Sequence, residues 1–133
     1  MRVEDMEKRK CHRFNVPGTT IFYKKNKMLS GKKEFPDPLY PVLDISRGGL
    51  RFLTDERPKI GLAVKIKLTI PGADHQPEIS GTVRWISRNW EESYRYQIGV
   101  SFNAYGDRKK DNSPEILSFI KSLEPEYSSG GQA

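Results

Sequence analysis

Val64-Lys65-Ile66-Lys67-Leu68-Thr69-Ile70 puts an apolar side chain at every second position and a polar one between each pair. A period of two belongs to an extended strand with one buried and one wet face, because successive side chains of a strand point to opposite sides. Downstream, Ile79, Gly81, Val83 and Trp85 repeat the pattern, and Tyr94, Tyr96, Ile98, Val100 and Phe102 repeat it again, so Ser87 to Ser93 reads as the hairpin loop between them. Upstream lie three shorter extended segments rich in β-branched or apolar residues: Leu50 to Leu53, Tyr40 to Ile45, and Thr19 to Tyr23. The Lys/Gly/Pro-rich stretch from Lys24 to Pro38 forms a loop after the first of these in chain order. Short strands separated by turn signals favour an antiparallel barrel or sandwich over alternating strand–helix layers.

One helix is expected, near the C-terminus. Ser113 can cap it, Pro114 fits its first position and Glu115 complements its dipole, while Ile116, Leu117, Ile120 and Leu123 form an apolar stripe that would cover one side or mouth of the sheet. Residues 124–133 are polar and rich in Ser and Gly, and are expected to be a disordered tail. Residues 1–13 lack apolar periodicity and read as a flexible basic arm, leaving 14–123 as a single domain. A length of 133 residues with 35% hydrophobic content suits one core. No apolar run is long enough to span a bilayer and no signal-peptide stretch follows the charged opening, so a cytoplasmic location is expected.

The net charge of +6 is concentrated at the N-terminal end. Residues 1–33 hold ten Lys or Arg against Glu4, Asp5 and Glu7, leaving 13 basic and 14 acidic residues in the remainder. Such a block either solubilises the chain or attracts phosphates. Arg9 and Arg13 lie four residues apart within it, flanked by Lys8 and Lys10. Arginine's planar fork can grip phosphate oxygens or the O6/N7 edge of a guanine. Asp44-Ile45-Ser46-Arg47-Gly48-Gly49, at the end of a strand, offers a carboxylate that accepts hydrogen bonds, a hydroxyl that donates or accepts, and two glycines that permit positive φ and close approach of a ligand. Taken alone, that turn is also an ordinary strand connection whose Asp or Ser bonds the backbone.

Arg-x-x-x-Arg followed about 30 residues later by Asp-x-Ser-x-x-Gly, within a small β fold, resembles the PilZ domain family of bacterial cyclic di-GMP receptors. The strand Ile79 to Trp85 and the strand Tyr96 to Phe102 resemble that family's later strands, extending the likeness over roughly residues 8–122. The resemblance implies a small six-stranded antiparallel β-barrel with one C-terminal helix. It further implies that Arg9 and Arg13 bind the phosphates and Hoogsteen edge of cyclic di-GMP, that Asp44 and Ser46 read a guanine's polar edge, and that Gly49 keeps the turn open. Lys8, Lys10, Gly48 and Trp85 are secondary candidates. Trp85 matches a position where some members carry an aromatic near the guanine, but it shares parity with Ile79 and Val83 and so equally reads as a core aromatic. Family members hold one ligand or a stacked pair, and the charge of Lys8, just before the first arginine, favours two.

Neither histidine has a recognisable nucleophile or carboxylate partner, so no catalytic residue and no metal site are expected, and no cofactor beyond the cyclic di-GMP ligand. Cys11 is the only cysteine. With His12 it is expected to be a spacer between the arginines, a redox role resting only on the nearby positive charge. His75 reads as a polar loop residue, and the lysines of the 24–33 segment as solvated charges able to steer an anionic ligand. The expected function is that of a receptor: ligand orders the arm on the barrel and alters a surface that an unidentified effector protein recognises, controlling motility, exopolysaccharide or adhesion. A single-stranded nucleic-acid-binding barrel and a ligand-independent adaptor are the alternatives. Confinement of the basic charge to one end weighs against nucleic acid.

Overall fold

The computed structural model describes residues 13–25, 39–90 and 93–127. Six strands, β1 (Thr20–Lys25), β2 (Tyr40–Ser46), β3 (Gly49–Thr54), β4 (Ala63–Thr69), β5 (Glu78–Arg88) and β6 (Tyr96–Phe102), are followed by helix α1 (Pro114–Tyr127). The strands close into a barrel in the order β1-β2-β3-β6-β5-β4, every neighbouring pair antiparallel. Closure removes both free edges of the sheet, which would otherwise template association with other chains.

The alternation of β4 does what its pattern predicts: Val64, Ile66 and Leu68 are almost fully buried while the lysines between them face outward. They meet Ile21, Ile45, Leu50, Phe52, Ile79, Val83, Ile98, Val100 and Phe102 inside the barrel, and α1 adds Ile116 and Ile120 from one side. Ser113 Oγ accepts a hydrogen bond from the Glu115 amide, the expected cap. Below α1, Asn112 Oδ1 accepts from the Ser80 amide while its Nδ2 donates to the carbonyls of Ser80 and Asn103, tying the connection from β6 onto β5.

Several boundaries differ from those expected. β1 runs on through Lys24 and Lys25, which belong to the barrel rather than to a loop, because they pair with Lys65 and Val64 of β4. β5 continues to Arg88 and β6 begins at Tyr96, so the hairpin tip lies at 89–95. Asn89 shapes that tip: its amide donates to the Arg95 carbonyl and its Nδ2 to the Tyr94 carbonyl. The helix reaches Tyr127, beyond the Leu123 boundary, since Glu124 is held by an ion pair to Arg47.

Strand alternation fixes where each connection lies. The β1–β2, β3–β4 and β5–β6 connections share one end of the barrel, here the hairpin end. The β2–β3 turn, the β4–β5 loop and the segment entering β1 share the other. At the hairpin end Tyr23 and Tyr40 both donate to Glu56 Oε1 at 2.8 Å, closing the mouth over Phe52. Burial, reinforced by the hydrogen bond to Glu56, pushes the Tyr23 phenol far above its ordinary value, and burial raises Tyr40 as well.

Candidate functional site

Two β-bulges decide which side chains face outward. β2 and β3 are in register at Val42↔Phe52, then shift so that Asp44 pairs with Arg51. Val42 and Ile45 consequently both point into the core, and the residue inserted between them releases Asp44 to the outer face, on the side of Ser46. The second shift lies between Val83 and Trp85. Val83 is buried, Ile86 packs against the core, and Trp85 is turned to the outside. The shared parity that made Trp85 a candidate core aromatic is therefore broken at Arg84.

The result is a row across four strands, Asp44↔Arg51↔Gly99↔Trp85 on β2, β3, β6 and β5. Arg51 donates to Asp44 Oδ2 through Nε at 2.9 Å and also through Nη2. This bond to the carboxylate raises the Arg51 pKa against the opposing effect of burial. Arg13 Nη1 donates to Asp44 Oδ1 at 3.3 Å, with its own side chain 56% exposed and that of Asp44 only 11%. At the far end of the row, Gly99 is required by packing: a Cβ there would fall inside the indole of Trp85, which rests against the β6 backbone.

Arg13 reaches Asp44 because the chain is already part of the barrel one residue later. Phe14 exchanges both backbone hydrogen bonds with Ile45 at 2.9 Å, and Asn15 Nδ2 donates to the Leu43 carbonyl at 2.7 Å. The last residue of the expected arm is thus docked at the motif. Lys8, Arg9 and Lys10, with Cys11 and His12, lie outside the described residues.

The turn itself is held from two sides. The Gly48 amide donates to Ser46 Oγ at 3.2 Å, the local turn bond that a Ser in this position can make. Arg47 donates to Glu124 through Nε (2.7 Å) and Nη2 (2.8 Å), and its carbonyl accepts from the Tyr105 hydroxyl at 2.6 Å, so the turn is fastened to α1 and to the segment preceding it. Neither Gly48 nor Gly49 adopts positive φ; Gly18, Gly61 and Gly72 are the described residues that do. Gly49 is demanded instead by the close approach of β6, because a Cβ would clash with the Val100 carbonyl oxygen. The expectation of positive φ at these glycines is corrected, and the packing against β6 is by itself a reason for glycine at position 49.

Between row and turn lies an open cleft of about 210 Å³, lined by Arg13, Ser46, Gly48, Arg51, Arg84 and Trp85 over the backbone of β3 and β6. Its volume is below the roughly 300–1,000 Å³ of ordinary small-molecule pockets. The described residues therefore make a floor, with guanidinium groups, a hydroxyl and an indole on it, rather than an enclosure, and Asp44 adjoins it through its bonds to Arg13 and Arg51. Two of its residues were not foreseen. Arg51 shares parity with Gly49, and Arg84 follows buried Val83 on the outward parity of β5, so both could have been found from spacing, whereas the bulge is what brings Trp85 beside them. Among the described residues there is no group of His, Cys, Asp or Glu that could hold a metal ion, and none of their helices is long and apolar enough to cross a membrane.

The model of the PilZ domain family matches residues 7–112, and the chain belongs to that family. Among solved structures, the chain is similar to the inhibitor of motility MotI/DgrA from Bacillus subtilis, with a TM-score of 0.59 and 12% identity over 86% of this chain and 48% of that one, so it spans about half of that protein's length. It is also similar to the PilZ domain of YcgR from Escherichia coli, solved with c-di-GMP, with a TM-score of 0.56 and 15% identity over 88% of this chain and 92% of that one. No curated protein sequence matches it. These likenesses establish the six-stranded barrel with its C-terminal helix as the family fold.

Proposed function

We propose that this chain is a cyclic di-GMP receptor that binds its ligand across the cleft and performs no chemistry on it. The observation that carries the reading is the convergence of the two signature segments: Arg13 touches Asp44 across 31 residues of sequence, beside a glycine-backed indole. In this reading Asp44 accepts from the N1–H and N2–H of a guanine through Oδ1, the oxygen that among the described residues is held only by the long contact to exposed Arg13, while Arg51 keeps Oδ2 fixed. Arg9 and Arg13 clamp phosphate oxygens and the Hoogsteen edge. Ser46 adds a hydroxyl, and the indole of Trp85 offers a stacking face to a base. Lys10 supplies further positive charge, and the charge of Lys8, just before the first arginine, favours a stacked pair of ligands over one.

The floor alone is too shallow to enclose a dinucleotide, so the arm serves as the other wall. Closing it on ligand remodels a surface that a partner protein reads, and the Arg47–Glu124 link would pass a displacement of the turn to α1. A cytoplasmic setting and control of motility, exopolysaccharide or adhesion go with this reading. Support comes from family membership and from the ligand named for the YcgR domain. Calorimetric titration with cyclic di-GMP, alongside a single-stranded oligonucleotide, tests it. Binding that disappears in Arg9→Ala and Asp44→Ala and exceeds that of the oligonucleotide supports the receptor. Oligonucleotide binding equal to or tighter than cyclic di-GMP binding overturns it.

A further inference from the structure

Among the described residues three large apolar side chains are exposed: Leu39 (43%), Ile60 (65%) and Trp90 (84%). Each belongs to a different connection, β1–β2, β3–β4 and β5–β6, and the strand alternation puts all three connections at the hairpin end, opposite the β2–β3 turn of the cleft. Scattered single exposures are ordinary; one on every loop of one barrel mouth and none elsewhere is not. The described residues on the two sides of the Trp90 tip are tied to each other. The hydrogen bonds of Asn89 to Tyr94 and Arg95 define the tip, Gln97 Nε2 adds a bond to Asn89 Oδ1 at 3.2 Å, and the Arg88 guanidinium sits 5.2 Å from the centre of the indole.

The same mouth carries exposed cations beside two of the tips: Arg57 and Lys59 next to Ile60, Arg88 and Arg95 around Trp90. Its two described carboxylates accept hydrogen bonds from neutral donors, Asp55 from the Arg95 amide and Glu56 from the two tyrosines, and keep their charge, which offsets part of that of the cations. Glu91 and Glu92 follow Trp90 in sequence and lower the local charge, so attraction to an anionic surface must be combined with burial of the apolar tips.

We propose that the hairpin end docks on an anionic lipid surface, with Trp90 and Ile60 entering the headgroup region and the flanking arginines and lysine contacting lipid phosphates. Tryptophan favours that region because its ring is apolar and its N–H polar. Three tips on separate loops with charged residues between them suit a fluid interface, which accepts each tip where it falls. A protein partner would have to offer a matched hole for each. Since the cleft lies toward the other end, docking leaves it open to ligand, and the inference stands independently of the ligand's identity.

The test is co-sedimentation of the full chain with vesicles of phosphatidylcholine alone and of equal parts phosphatidylcholine and phosphatidylglycerol, at low and at high salt. The expected result is salt-sensitive binding to the mixed vesicles only, with a blue shift of tryptophan emission that Trp90→Phe removes. Arg57→Gln and Lys59→Gln should each weaken binding about fivefold, and Trp90→Ser or Ile60→Ser about tenfold, with unchanged circular dichroism. Failure of the parent protein to bind mixed vesicles at low salt overturns the proposal, as does Trp90→Ser binding like the parent. So would concentration-dependent self-association abolished by Trp90→Ser without vesicle binding, which would make the surface a protein interface.

Discussion

Replacing Arg51 by Met removes both donors to Asp44 Oδ2 and leaves a carboxylate only 11% exposed with, among the described residues, one 3.3 Å contact, to Arg13. Removing one partner of a fully buried pair costs about 3–5 kcal/mol. Here the Arg51 side chain is 34% exposed, so water can partly replace it. The loss should then lie near the cost of charge-assisted hydrogen bonds, about 2 kcal/mol. Urea denaturation of Arg51→Met should show this as a lower midpoint at unchanged slope. In Asp44→Leu/Arg51→Met, where neither charge remains, most of the stability should return, since the penalty belongs to the orphaned carboxylate rather than to the pair. The ligand response separates the roles of the two residues: Asp44→Leu/Arg51→Met should fold yet fail to bind cyclic di-GMP. A single-variant loss under about 0.5 kcal/mol would refute the reasoning, because that is the range of a solvated surface pair.

Other consequences concern the site and the core. Arg13→Ala should abolish ligand binding while changing unfolding free energy by less than about 0.5 kcal/mol, since the side chain is over half exposed and its contact long; a large stability loss would mean that Arg13 is structural. Ligand should quench tryptophan emission in Trp90→Phe but not in Trp85→Phe, and loss of the indole should weaken binding by about 1–3 kcal/mol; quenching retained in Trp85→Phe would place the base elsewhere. Glu124→Ala should speed amide exchange in the last turns of α1 with little effect on the barrel, as the Arg47 link is local to that end. Both Tyr23 and Tyr40 have pKa values raised above the ordinary 10.0, so their stabilisation is full below that pH and is lost as pH rises toward the folded values. Chemical denaturation above pH 10 should therefore show a slope smaller by up to about 1.4 kcal/mol per pH unit in Tyr23→Phe than in the parent. Equal slopes would contradict the raised pKa of Tyr23, which burial causes and the bond to Glu56 reinforces.

The barrel was legible because its strands are half-buried: Val64, Ile66 and Leu68 announce their face by alternation alone, and the Ser113-Pro114-Glu115 start of α1 is a local signal. The outward site was only partly legible. Asp44, Ser46 and Arg13 stood out as residue types in a spacing, but the direction of Asp44 and Ser46 depends on the bulge that separates Val42 from Asp44, and a bulge has no period to reveal it. The same holds for Trp85, which alternation assigns to the interior and the irregularity at Arg84 brings out. Long-range partners were hidden for a different reason. Nothing in the turn's own sequence says that Arg47 will meet Glu124, or that Gly49 and Gly99 are needed because β6 and an indole pass close by.

The central claim is that Asp44, the arginines around it and Trp85 form one face of a cyclic di-GMP site. Isothermal titration of the parent chain and of Asp44→Ala with cyclic di-GMP tests it most directly. The account predicts saturable binding to the parent, at a stoichiometry near two ligands per chain, and none to the variant at the same concentrations. Binding to the parent no tighter than about 1 mM, equivalent to roughly −4 kcal/mol, or equal binding to both proteins, would contradict it.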